Sequence, residues 1–162
     1  MAGYGSDAGF QAWLTGNGYS LPNGAPSPAV LRQRGSDYVD ATYGARFAGL
    51  PVAFDQDRAW PRVGAFMGSL SIPSDLVPKA VEIASYAAAF QEASTPGSLA
   101  AVGAPGAAVK REKVGPLEVE YQDAILDGTA SSITPLISSV DGLLAPLLRP
   151  ATAGLGIWSV GC

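Results

Sequence analysis

The sequence predicts a mainly α fold: a small bundle of three to four helices, with a short β-hairpin or strand pair and an extended C-terminal arm. Three observations predict it. Two long segments, opening at Ser27-Pro28 and at Ser74, combine a helix start signal with apolar residues at helical spacing. One short segment, Leu117 to Tyr121, alternates strictly between apolar and acidic side chains, the period of a half-buried strand. Glycine and proline are abundant, 20 and 13 of 162 residues, and they divide the remainder into turns and loops.

Taken in order, Ser6 caps a short helix over about Asp7 to Thr15, with Phe10, Trp13 and Leu14 on one face, and Gly16-Asn17-Gly18 ends it. A turn-rich connector leads to Ser27 and Pro28, a cap followed by proline at the first helical position, where its missing N–H is harmless. That helix should run to about Tyr43. Leu31, Gly35, Tyr38, Val39 and Thr42 form its inner stripe, with Arg32, Gln33, Asp37 and Asp40 largely off it. Arg32 and Arg34 are left facing either solvent or a partner.

From Phe47 to Ile72 there is little periodicity, and a loop of that length inside a domain is functional or tied down. It holds the chain's only Trp-Pro pair, Trp60-Pro61, between Arg58 and Arg62. Two readings stay open. Trp60 plugs the helix packing while Arg58 or Arg62 pairs with Asp55, Asp57 or a helix end, or an arginine reaches a neighbouring subunit or a phosphate. The next helix is expected from Ser74 with Pro78 in its first turn, closing at Thr95-Pro96-Gly97-Ser98. Its stripe of Val77, Val81, Ala84 and Ala88, widened by Ile83, Tyr86, Ala87 and Phe90, makes it apolar nearly all round, so more than one neighbour must bury it. The expected structural core is Trp60, Pro61, Val77, Val81, Ala84 and Ala88.

After a Gly/Ala/Pro connector, residues 117–121 read as a half-buried strand, and residues 109–114 either as its partner strand turning at Gly115-Pro116 or as a segment that pairs with a neighbouring chain. Lys110, Arg111 and Lys113 make the only basic cluster. It either pairs with Glu112, Glu118 and Glu120 across the strands or contacts nucleic acid. Residues 122–132 read as a linker, and Thr134-Pro135 opens a helix to about Ala145. The domain division expected is therefore a core at 1–121 and a linker with apolar arm at 122–162. Leu143, Leu144, Leu147 and Leu148 make that arm apolar enough either to pack back on the core or to dock on a partner. Under the docking reading, a chain ending at Asp127 folds but fails to dock.

Composition narrows the function. The net charge is −4 and the pI about 4.6, which disfavours a surface dominated by nucleic-acid contacts. There is no histidine, and Cys162 is the single cysteine, so histidine triads, histidine metal sites and disulfides within the chain are excluded. No phosphate-binding loop, dinucleotide fingerprint or nucleophile elbow occurs. No catalytic, cofactor-binding or metal-ligating residue is expected, and the chain is expected not to be an enzyme. It shows no signal-peptide pattern at Met1–Gly5 and no apolar run approaching the about 20 residues that span a bilayer, so a soluble, cytoplasmically made protein without membrane contact is expected.

Several segments together carry a family likeness: Ala45-Arg46-Phe47, Ala59-Trp60-Pro61-Arg62, Ile72-Pro73, the helix from Val77 to Ala93, Pro96-Gly97-Ser98-Leu99, Val109-Lys110-Arg111, Lys113-Val114-Gly115 and Asp141 to Leu148. Over about residues 4–148 the chain resembles a family of tailed-phage proteins often labelled DnaT-like single-stranded-DNA-binding proteins, which look related to the head–tail adaptors, or connectors, of long-tailed phages. The resemblance implies a virion structural protein of the neck, made in the bacterial host cytoplasm. Such a protein forms a dodecameric ring beneath the portal protein, meets a tail-side stopper or terminator, and lets genomic double-stranded DNA pass without sequence-specific binding. The partner contacts then expected are Arg58, Arg62, Lys110, Arg111, Lys113, Leu143, Leu144, Leu147 and Leu148. The DnaT-like label taken literally implies instead a replication protein that binds single-stranded DNA, which needs aromatic side chains interleaved with a basic groove. Trp60 between its two arginines is the feature that fits that second reading.

Overall fold

The computed structural model describes residues 2–100, the strands at 111–114 and 117–120, and residues 137–149. Lys110, the turn Gly115-Pro116, Tyr121, the 122–132 linker, Thr134-Pro135 and the segment ending at Cys162 lie outside them. Helix α1 (Asp7–Gly16) starts as expected, with the Ser6 hydroxyl accepting from the Gly9 N–H at 3.0 Å. Helix α2 (Pro28–Tyr43) carries its proline in the first turn, although the Ser27 side chain makes no capping bond. Between α2 and the next helix lie two minimal antiparallel pairs. Strand β1 (Leu50–Pro51) pairs with β2 (Arg62–Val63), and β3 (Phe66–Met67) pairs with β4 (Leu70–Ser71).

Helix α3 (Lys79–Ser94) begins later than Ser74 predicts. A proline keeps the residue before it out of helical backbone, so Pro78 excludes Val77 from the helix and itself becomes the extended cap, its carbonyl accepting from the Val81 N–H at 2.9 Å. Val77 therefore packs half-buried from the lead-in segment rather than from the helix face. Strands β5 (Arg111–Val114) and β6 (Leu117–Glu120) pair antiparallel with each other, the first of the two readings, with Val114 opposite Leu117, Lys113 opposite Glu118 and Arg111 opposite Glu120. Helix α4 (Ser138–Leu144) follows Ile137, whose backbone is extended, and passes into a single 3₁₀ turn at Ala145–Leu147, where Pro146 ends regular helix.

Helix α3 is buried on two sides, as its all-round apolarity demands. Val81, Ala84 and Ala88 face a core containing Tyr4, Tyr38, Val39, Tyr43, Phe47, Trp60, Val140, Leu144 and Leu147. On its other side Tyr86, Ala89 and Ala93 meet Phe10 and Leu14 of α1 and Leu31 of α2. The closest approach is to α2. A Cβ on Gly35 would stand 2.2 Å from the Ser85 carbonyl oxygen and 2.7 Å from the Ala89 nitrogen, so only glycine permits this crossing. The small-residue face of α3 is thus consumed within the chain.

The C-terminal segment takes the first of its two readings, packing back on the core, and not the docking arm. Val140, Leu144 and Leu147 are buried in the main core, with Leu143 and Leu148 packed partly buried beside them. Leu148 bridges Phe47 in antiparallel fashion, and the Ala48 N–H donates to the Leu147 carbonyl at 2.9 Å. Residues 137–149 close the bundle rather than forming a free docking arm, because the 47–49 edge offers both an apolar seat and unpaired backbone. The boundary expected at 121 therefore does not separate the core from this helix.

Candidate functional site

The segment between α2 and α3 is held in place by side chains that turn inward. The Trp60–Pro61 peptide is cis, Trp60 is buried, and Phe47 meets its ring edge-on at 5.6 Å. Pro61 is half-buried, and its carbonyl accepts from Gln56 Nε2 at 3.1 Å. Tyr4 secures the tryptophan from the N-terminal segment: its hydroxyl accepts from the Trp60 N–H at 3.1 Å and donates to Asp40. Burial, reinforced by Asp40, holds the Tyr4 hydroxyl far above the ordinary tyrosine range, so it stays a donor.

Both arginines beside Trp60 are committed inside the chain. Arg58 pairs with Asp37 at 2.6 Å and Asp40 at 3.2 Å, both on α2, and donates to the Ala2 carbonyl at 3.0 Å. Burial works against the Arg58 charge, but the two carboxylates outweigh it and raise its pKa. Burial raises the Asp40 pKa despite the bonds from Tyr4 and Arg58. Arg62 is more deeply placed, 3% exposed, with its donors spent on carbonyls: Gly49 at 2.8 Å, Ala48 at 2.9 Å, Ala59 at 3.1 Å and Phe47 at 3.4 Å. Neither arginine pairs with Asp55 or Asp57, and both side chains are largely buried. The reason is geometric: α2 brings two carboxylates beneath Arg58, and the bend at 47–49 turns a row of carbonyls towards Arg62. Arg32, expected off the inner stripe, is likewise buried, donating to the carbonyls of Gly3, Tyr4 and Gly5 and pairing with Asp7 at 2.7 Å.

What this segment presents outward is apolar. On and beside the first strand pair, Leu50, Val52, Phe54 and Val63 are exposed, Phe54 completely; on the second, Phe66, Met67 and Leu70 are exposed. Most of the exposed large hydrophobic side chains of the described residues fall between 50 and 70. Exposed apolar residues scattered singly are ordinary, but here seven of them fall on one segment of the chain. The nearby charges that remain free are the exposed Asp55 and Asp57.

The sequence held a sign of this surface. Leu50, Val52 and Phe54 stand at i, i+2 and i+4, the spacing of one strand face, but three residues in a Gly/Pro-rich stretch do not say whether that face points in or out. Tyr4 had no such signal, because one aromatic among glycines has no periodicity. Of the partner contacts expected from the sequence, Arg58, Arg62, Leu144 and Leu147 are internal, Leu143 and Leu148 are half-buried, Arg111 and Lys113 sit on the β5–β6 hairpin, and Lys110 lies outside the described residues.

Among the described residues no three His, Cys, Asp or Glu side chains gather to hold a metal ion, and no helix is long and apolar enough to cross a membrane. An open cleft lined by Arg34, Asp37, Tyr38, Glu92 and Leu99 lies between α2 and the end of α3, where Arg34 pairs with Glu92 at 3.1 Å.

The described residues thus combine a helical core with an outward apolar β surface and inward arginines. Residues 2–159 match the model of a family described as "Putative DnaT-like ssDNA binding protein", and the chain belongs to that family. Neither a curated protein nor a solved structure matches it.

Proposed function

We propose that this chain is a structural assembly protein of a tailed-phage virion: a head–tail adaptor, without catalytic activity, whose copies close into a dodecameric ring below the portal and join the capsid to the tail-side neck proteins. The observation that carries this reading is the exposed apolar surface at 50–70, together with the inward commitment of Arg58 and Arg62. A surface of that composition is suited to burial against another protein. In a ring, the same patch on each copy would be covered by a different patch on the next, a heterologous contact that closes. The acidic balance of the chain suits a channel wall that lets DNA slide.

The second reading, a single-stranded-DNA-binding replication protein, is favoured by the family match, which speaks for it more directly than for a virion neck. Its difficulty is geometric. Trp60 is sealed in the core between two arginines that already have partners, and the exposed Phe54 and Phe66 have no arginine or lysine free beside them on their own hairpins. The deciding experiment is light scattering and negative-stain imaging of the purified full chain, with antibody labelling of the virion neck. Rings in solution and label at the neck support the adaptor. A protein that stays monomeric at tens of micromolar and is missing from purified virions overturns it.

A further inference from the structure

Arg62 and Arg149 converge on the short stretch of backbone beside Arg46, and none of the three arginines has a carboxylate partner among the described residues. Arg149 donates to the carbonyls of Ala45 at 3.0 Å and Phe47 at 3.1 Å, and Arg62 reaches the same Phe47 carbonyl from the buried side. The antiparallel bridge between Phe47 and Leu148 sets Arg46 directly opposite Arg149, and the Arg149 N–H donates to the Arg46 carbonyl at 2.8 Å. Directly opposed residues of an antiparallel pair project from the same face, and like charges there are destabilising. Both side chains are exposed, and Arg46 lies over the Tyr43 ring, 5.5 Å from its centroid. Arg62 beneath them feels the repulsion: burial first, and then Arg149, lowers its pKa. Burial first, then Tyr38 and Asp141, raises the Tyr43 pKa, and Asp141 pairs with none of the three arginines.

A chain of net charge −4 has acids to spare, yet it leaves two exposed arginines opposed, with a third buried under them. An external anion resolves the repulsion. The guanidinium fork matches phosphate oxygens in two-point fashion, and membership of a family described by DNA binding makes the phosphate of a DNA backbone the occupant of choice. We propose that Arg46 and Arg149, with Arg62 contributing field from below, form a contact site for the phosphodiester backbone of DNA. The site is independent of the apolar surface at 50–70, and it serves either a strand bound in replication or a duplex passing through a ring.

The test is fluorescence anisotropy of the full chain with a labelled oligothymidylate of about 20 nucleotides and, in a second arm, the matching duplex, between about 50 and 200 mM salt. Compared are the wild type, Arg46→Ala/Arg149→Ala, Arg46→Ala alone, the double lysine variant Arg46→Lys/Arg149→Lys, and Lys79→Ala, which removes an exposed charge elsewhere. The double alanine variant is expected to bind at least about tenfold more weakly at low salt. Its salt slope should fall by about 1.4 in the single-strand arm or about 1.8 in the duplex arm, the losses for two phosphate contacts, and the arm that shows the loss names the source. The lysine variant should keep most of the slope, and Lys79→Ala should keep all of it. Arg46→Ala, whose side chain makes no hydrogen bond among the described residues, carries the test if loss of the Arg149 bonds unfolds the double variant. Absence of binding by the wild type in both arms overturns the proposal, as does an Arg46→Ala slope equal to wild type or an equal loss in Lys79→Ala. If DNA binding is unchanged while the oligomer dissociates, a second copy's carboxylates occupy the site and the proposal fails. Oligomeric state and anisotropy are separate readouts, so failure here leaves the ring reading standing.

Discussion

Helix α3 and the two strand pairs before it are both apolar, yet one is sealed and the other open. On α3 most of the apolar side chains are small and recur at helical period, so α1 and Leu31 of α2 close on one side and α4, Tyr4, Trp60 and the Tyr38–Val39 part of α2 on the other. Between 50 and 70 they are large and stand on strands two residues long, too short to build a sheet that something could cover. Polar residues reverse the pattern: Arg58 and Arg62 go inside to hold the segment, and the hydrophobic residues are left outside. Where an element is long enough to present a face, the chain buries that face itself. Where it is not, polar anchors hold the fold and apolar surface remains for a partner.

The sharpest way to break this contrast is to remove the segment that seals α3. Ending the chain after Asp127 deletes Val140, Leu144 and Leu147, all buried, each worth about 1.5–3 kcal/mol of burial. The sum is of the order of a domain's whole stability, about 5–15 kcal/mol. The truncated chain should show no cooperative thermal transition by circular dichroism. A folded, cooperative product would return residues 137–149 to the status of an arm. Next in size is Trp60→Ala, which empties the space under Phe47 and Tyr4 and should destabilise by about 3–5 kcal/mol in chemical denaturation. A loss below about 1 kcal/mol would put the tryptophan on the surface.

This contrast also explains what could be read in advance. The helices, their order and the two-sided burial of α3 were legible because period and caps are local properties. So was strand β6, since strict alternation from Leu117 to Glu120 is a local property too. Three features were not. The late start of α3 turned on Pro78 acting on Val77 rather than sitting inside the first turn. The inward turn of Arg58 depended on Asp37 and Asp40, about twenty positions away on another helix. The seat of Leu147 and Leu148 depended on the backbone edge at 47–49, which no pattern within the tail reveals.

Gly35→Ala probes the sealed side more gently. The added Cβ meets the Ser85 carbonyl oxygen and Ala89 nitrogen, backbone atoms that cannot rotate away. The gain of about 0.5–1 kcal/mol in helix propensity from replacing glycine is outweighed by the cost of forcing α2 and α3 apart, about 1–3 kcal/mol for overpacking. A net loss of about 1–2 kcal/mol in denaturant unfolding is expected. A gain would show that the crossing has slack.

The smallest effect on stability should come from the open side, where the effect on assembly should be large. Phe54 and Leu70 are exposed and support no neighbour in the core, so Phe54→Ser and Leu70→Ser should each change stability by no more than about 0.5 kcal/mol. The same substitutions should weaken self-association strongly, because large apolar anchors dominate the energy of an interface once desolvated. Sedimentation velocity across a dilution series separates the two effects. A variant that melts like wild type but dissociates at higher concentration assigns the patch to assembly. One that melts earlier shows that Phe54 or Leu70 supports the fold after all, and one identical in both respects removes the 50–70 surface from the assembly and leaves the β5–β6 hairpin as the place to look.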